Sequence, residues 1–158
     1  YYLSFITNNY LDFQAKVAFT STAKKDILAV PYFALDEEGN EYEIEKQDFI
    51  EKVTFPALKS HPQRALAKKQ MKIIPSVFCA DFKSVELAQK FIENAKIFGE
   101  KCSFGSADSR VEIPSKISHA SFSKEELKAI GISDSTVRFS IGFEDLKDLK
   151  EDLLEAIK

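Results

Sequence analysis

The sequence predicts helices packed on a sheet, an α+β or α/β architecture. Three observations carry that reading. The second half of the chain runs helix, strand, helix, loop, helix, strand, helix. Two helix starts are marked by capping residues, Ser84 and the box Ser123-Lys124-Glu125-Glu126. The segments 76–82 and 137–141 alternate between apolar and polar positions, the period of a strand with one buried face.

The elements follow in chain order. Ile27-Leu28-Ala29-Val30, ahead of Pro31-Tyr32-Phe33, reads as a short buried strand closed by proline, and Asp36-Glu37-Glu38-Gly39-Asn40 gathers turn residues. Between Glu41 and Val53 the apolar residues Ile44, Phe49, Ile50 and Val53 fit either a short amphipathic helix or a helix followed by a strand. Thr54 to Leu58 is broken by Pro56, and Ser60-His61-Pro62 opens a helix through Met71 with Lys68, Lys69 and Lys72 at its negative pole. Ser76 to Phe82 is a strand with Val77, Cys79 and Asp81 on one side and Phe78, Ala80 and Phe82 towards the core. Ser84 caps a helix whose stripe is Val85, Ala88, Phe91, Ile92 and Ala95, ended by Phe98-Gly99. The capping box starts a short helix that Gly131 closes. Val137 to Ile141 is the next strand, and Leu146, Leu149, Leu153, Leu154 and Ile157 are the stripe of a terminal helix.

Composition bounds what such a chain does. With 158 residues, 44% of them hydrophobic and 30% charged, it suits one ordinary domain or two small ones and carries no disordered bias. Its 22 basic residues are outnumbered by 25 acidic ones, which argues against nucleic acid as a partner. No apolar run approaches the roughly 20 residues of a membrane helix, so no membrane partner is expected. Cys79 and Cys102 form no C-x-x-C pair and read as reduced thiols, which implies a cytoplasmic setting. The chain begins with Tyr1, so it is expected to be a processed, truncated or trimmed piece.

The chemistry is sparse. His61, His119, Cys79 and Cys102 lack metal-ligand spacing, and neither glycine-rich nucleotide motif occurs. Cys79 reads as a small buried hydrophobe, though pairing of Cys79 or Cys102 with a histidine in a thiol hydrolase stays open. Two features stand out. Ser103-Phe104-Gly105-Ser106-Ala107-Asp108-Ser109 is a bend rich in hydroxyls and backbone N–H groups, either a solvated turn or an anion site. Arg138 interrupts the strand Thr136-Val137-Arg138-Phe139-Ser140-Ile141, where it either points to water or presents a planar fork to a carboxylate.

At these residues the chain resembles the C-terminal domain of the Cys/Met metabolism enzymes that use pyridoxal phosphate, a family with cystathionine γ-synthase, cystathionine lyases and O-acetylhomoserine sulfhydrylase among its members. The stretch 103–109, Ile113-Pro114, Ser118-His119-Ala120, Gly131-Ile132 and 137–145 are similar to the family wording S-L-G-G-x-E-S, P, T-H, G-I and V-R-L-S-V-G-x-E-D. Phe55-Pro56-Ala57-Leu58-Lys59-Ser60-His61-Pro62 and Leu66-Ala67-Lys68-Lys69-Gln70-Met71 resemble Y-P-G-L-x-S-H-P and L-A-x-x-Q-M. Ala57 and Ser106 stand where the family has glycine, Asp108 where it has the longer acid, and Ser118 where it has threonine; the two lost glycines threaten a positive φ.

The resemblance implies an α+β fold, an α/β sandwich with helices on a small, mainly antiparallel sheet, like the small C-terminal domain of fold-type I pyridoxal-phosphate enzymes. It divides the chain into residues 1–52, a segment of unclear origin, and residues 53–158, a substrate-side domain. It assigns Arg138 and Ser103 to anchoring the substrate α-carboxylate and gives His119 a structural part. Pyridoxal phosphate is expected in the complete enzyme and not on this chain alone, because the domain with the Schiff-base lysine is missing from the resemblance. The isolated chain is therefore expected to be inactive. Its expected partner is that large domain or a complementary chain, and homo-oligomers are typical of the family. The alternative is a non-enzymatic structural or interaction remnant.

Overall fold

The computed structural model describes residues 43–71 and 76–158, so the expected strand at 27–30, the turn at 36–40 and Lys72 lie outside the described residues. A 3-10 turn, Glu43–Lys46, precedes strand β1 (Ile50–Thr54), helix α1 (Arg64–Gln70), β2 (Val77–Phe82), α2 (Val85–Asn94), β3 (Gly99–Glu100), β4 (Arg110–Glu112), α3 (Lys124–Ala129), β5 (Thr136–Ser140) and α4 (Leu146–Ile157). The sheet order is β1-β2-β5-β4-β3. All pairings are antiparallel except β3 with β4, so the fold is α+β with a mainly antiparallel sheet, as expected.

Alternation sorts the side chains of this sheet into two unlike faces. Val137 and Phe139 on β5, and Ile141 just after it, point into the core, and the register sets Phe139 beside Phe78 and Val111. Phe139 is the hub of an aromatic cluster, with ring centroids 4.8 Å from Phe78, 5.5 Å from Phe91 and 5.6 Å from Phe98. Helices α2 and α4 close this side through Ala88, Phe91, Leu149, Leu153 and Ala156. The opposite face carries Cys79, Asp81, Thr136, Arg138 and Glu112. Such a polar face on a central strand needs internal partners, because unpaired buried charge is costly.

Several boundaries differ from the sequence reading, each for a local reason. The ambiguous stretch 41–53 is a 3-10 turn followed by a strand: a register shift between Ile50 and Lys52 brings Ile50 and Val53, three apart, onto one face, a spacing that imitates a helix. Helix α1 starts at Arg64, with Pro62 left in the preceding turn. Helix α2 stops at Asn94 and Gly99 opens a strand instead of closing the helix. The cause is Asp152, whose carboxylate accepts the backbone N–H groups of Lys96, Ile97 and Phe98 at 2.8 to 3.2 Å and pulls the chain out of the helix. Asp152 is thus buried within α4, whereas Leu154, expected in the apolar stripe, is 41% exposed.

The cluster around Phe139 makes a direct prediction. Phe139→Ala removes a wholly buried ring and should cost about 3–5 kcal/mol of unfolding free energy, while Met71→Ala on the exposed end of α1 should change it by less than about 0.5 kcal/mol. Denaturant titration of both variants checks the contrast.

Candidate functional site

The polar face is organised by one cross-strand row. The register places Cys79 of β2 opposite Arg138 of β5, and Arg138 opposite Glu112 of β4. Arg138 Nη1 lies 3.0 Å from Glu112 Oε1, with the arginine side chain 17% exposed and the glutamate fully buried. Nη2 donates to the carbonyl oxygen of Ser103 at 2.9 Å, and the guanidinium carbon sits 5.5 Å from the centre of the exposed Phe104 ring. The two residues singled out in the sequence are therefore in contact, although Ser103 contributes its carbonyl and not its hydroxyl. A guanidinium has five N–H groups. One is donated to the Ser103 carbonyl, Nη1 faces the Glu112 carboxylate in an ion pair, and Nε makes no hydrogen bond among the described residues.

The bend is built to hold this arrangement. Ser103 has a φ of 107°, the sole positive value of a non-glycine residue among the described residues, so neither Ala57 nor Ser106 is forced there by its lost glycine. Such a backbone is strained and persists only where its surroundings fix it. Gly105 N–H donates to Ser140 Oγ at 3.1 Å, and Glu144 receives the N–H and hydroxyl of Ser109 at 2.6 and 2.7 Å. Ser109 Oγ accepts from Gly142 N–H, and Phe143 N–H bonds the Ala107 carbonyl, each at 2.9 Å. A Cβ on Gly142 would meet Ala107 O at 2.3 Å, so only glycine admits this approach. Inside the bend, Arg110 and the hydroxyl of Ser106 hydrogen-bond Asp108, which holds its carboxyl well below the usual range.

Glu112 and Ser118 were not among the expected site residues. Ser118 Oγ donates to Glu112 Oε1 at 2.5 Å and lies 2.9 Å from His119 Nδ1, while the His119 ring packs edge-on against Phe122. The pattern Val111-Glu112-Ile113, one acid inside an apolar run, was the available signal, since a buried Arg138 demands an opposite charge.

Cys79 lies on the polar face, the side the alternation gave it, and is half-buried, a correction to its reading as a small buried hydrophobe. Burial and the nearby Asp81 push its thiol up to about 11, against the lowering effect of Arg138. Among the described residues no hydrogen bond joins either cysteine to a histidine, and no cluster of histidine, cysteine and acids could hold a metal. No helix of the described residues is long and apolar enough to cross a membrane.

Comparison with known proteins returns one family. The sequence model described as Cys/Met metabolism PLP-dependent enzyme matches residues 41–158. The cystathionine gamma-lyase of Dictyostelium discoideum is 39% identical over 115 residues, which are 72% of this chain and 30% of that protein. The cystathionine beta-lyase of Lactococcus lactis subsp. cremoris (strain MG1363) is 35% identical over 115 residues, 73% of this chain and 30% of the relative. The solved cystathionine gamma synthase from Xanthomonas oryzae pv. oryzae, in complex with cystathionine, superposes with a TM-score of 0.68 at 30% identity, covering 72% of this chain and 31% of that one. The chain thus spans about 30% of the length of the curated relatives it matches.

Thiol reactivity tests the electrostatics of the row. At pH 8 about one Cys79 thiol in a thousand is ionised when its pKa stands near 11, so a maleimide should label the exposed Cys102 and leave Cys79 unmodified. Labelling of Cys79 should become appreciable only as the pH climbs towards 11, read by mass spectrometry of the digested chain.

Proposed function

This chain belongs to the Cys/Met metabolism PLP-dependent enzyme family, and on that premise we propose that residues 53–158 are the substrate-side part of such an enzyme, with Arg138 as the anchor of the amino-acid α-carboxylate and Ser103 as part of its support. The observation that carries the reading is the state of the guanidinium. It is held by Glu112, the Ser103 carbonyl and the Phe104 ring, and of its five N–H groups one is donated to a hydrogen bond among the described residues, which leaves donors for a second carboxylate.

Pyridoxal phosphate, when bound in a complete enzyme, supplies the electronic chemistry. The described contacts of Arg138 comprise a carboxylate, a carbonyl and an aromatic ring, with no lysine amine among them. They suit a grip on substrate and do not make a cradle for the cofactor, so no reaction step is assigned to this chain. Its contribution is positional: gripping the carboxylate fixes the rest of the amino acid relative to the reacting centre. The chain alone is inactive in this reading, and its partner is the large cofactor-binding domain, covalently joined or separate. Phe104 and Phe143, 65% and 56% exposed beside the bend, offer apolar surface for that partner to cover.

The test is a pair of measurements on an enzyme reconstituted by adding the large domain of a family member in trans. Complementation should restore turnover; a chain that folds, binds that domain and still yields none would favour the non-enzymatic alternative. Arg138→Lys then keeps a positive charge beside Glu112 but loses the planar fork, and KM for the amino acid should rise by about tenfold or more, the equivalent of one charge-assisted hydrogen bond. An unaltered KM would refute the anchor.

A further inference from the structure

We propose that Glu112 is the positioning residue of this site: its buried carboxylate, itself held by Ser118, locks the Arg138 guanidinium in one orientation. The inference rests on the reading of Arg138 as an anchor, but it concerns a different property, the rigidity of the fork. Four observations support it. Glu112 is wholly buried, so its charge is unscreened by water and its strongest partner is the arginine 3.0 Å away. Both Arg138 Nη1 and Ser118 Oγ converge on the same oxygen, Oε1, which pins that atom from two directions. The second oxygen, Oε2, is buried with no hydrogen-bond partner among the described residues, so the carboxylate is not placed for its own satisfaction. The opposite edge of the guanidinium is fixed by the Ser103 carbonyl at 2.9 Å, on a residue held at a strained φ of 107°.

An arginine held at one nitrogen pivots. Held at both terminal nitrogens and covered on one face by Phe104, it presents a plane of fixed direction, which is what two parallel hydrogen bonds to a carboxylate need. Glu112 does not touch the substrate in this scheme. It also carries a negative charge that opposes the approach of a second carboxylate, so replacing it could raise or lower affinity, and affinity alone cannot reveal a positioning role. Rotation of the guanidinium can.

The experiment is side-chain NMR of Arg138 in the isotope-labelled 158-residue chain. In the parent chain the two terminal nitrogens should give separate signals, because their contacts slow rotation about the Nε–Cζ bond. Glu112→Gln preserves shape and removes the charge; it should merge the terminal signals by speeding that rotation about tenfold or more, the loss of one charge-assisted contact. Ser118→Ala, which leaves every charge in place on an exposed residue, should move the same signals in the same direction by a smaller factor, and Ser118→Thr should restore them. Ser118→Ala therefore carries the test if Glu112→Gln fails to fold. Titration with acetate separates the two claims. Parent signals that ignore acetate while Glu112→Gln still frees the fork would overturn the anchor and support the positioning role. Terminal signals as distinct in the variants as in the parent would overturn the positioning role, whatever acetate does.

Discussion

The buried ion pair between Arg138 and Glu112 is the interaction on which the candidate site depends. A charge in the middle strand of a sheet is expensive to desolvate, and the cost is offset only where an opposite charge lies close by. The register of β4 against β5 provides the first, because Glu112 is the residue directly opposite Arg138. Removing either member leaves the other as an uncompensated buried charge, a loss of about 3–5 kcal/mol in comparable pairs. Evidence for fold and site therefore meets at one cross-strand pair: the alternation that sends Phe139 into the aromatic core sends Arg138 to the opposite face.

The remaining polar contacts brace the surroundings of that pair. Glu144 grips Ser109, Ser109 receives the Gly142 N–H, and Gly142 lets the two segments approach more closely than any Cβ permits. This strut fixes the bend whose Ser103 carbonyl meets the guanidinium. On the core side Asp152 does comparable work, collecting three backbone N–H groups at the end of α2 and tying them to α4. In both places a carboxylate satisfies main-chain donors that neither helix nor sheet employs, which is how irregular backbone becomes tolerable next to a packed core.

What the sequence disclosed, and what it withheld, follows the range of the interactions. The strand read at 76–82 forms over 77–82, since its alternation is set by one buried face, and both helix caps form as expected: Ser84 Oγ accepts the Leu87 N–H at 3.2 Å, and the Ser123–Glu126 box closes in both directions. Gly131 closes the short helix as expected, at a φ of 76°. Residue type singled out Arg138 and the bend separately, and the family resemblance joined them as a pair. The three-residue strand β4 was invisible because it is too short for periodicity to register, and with it went Glu112. Ser118 was read only as a replaced threonine, and Asp152 as a polar gap in a helical stripe. Asp152 owes its role to residues 54 to 56 positions away, beyond any local window, and Ser118 owes its own to the unrecognised Glu112. The β1 bulge misled in a different way, by giving a strand the three-residue apolar spacing of a helix.

The central claim is that Arg138 recognises a carboxylate. Its most direct test is a binding cycle on the reconstituted enzyme, with an amino acid compared against the amine that lacks only the carboxyl group, for the parent and for Arg138→Lys. The account predicts that losing the carboxyl weakens binding to the parent by about tenfold or more and has a much smaller effect on the variant. Equal losses in both would mean that the carboxylate is held elsewhere, and would contradict it.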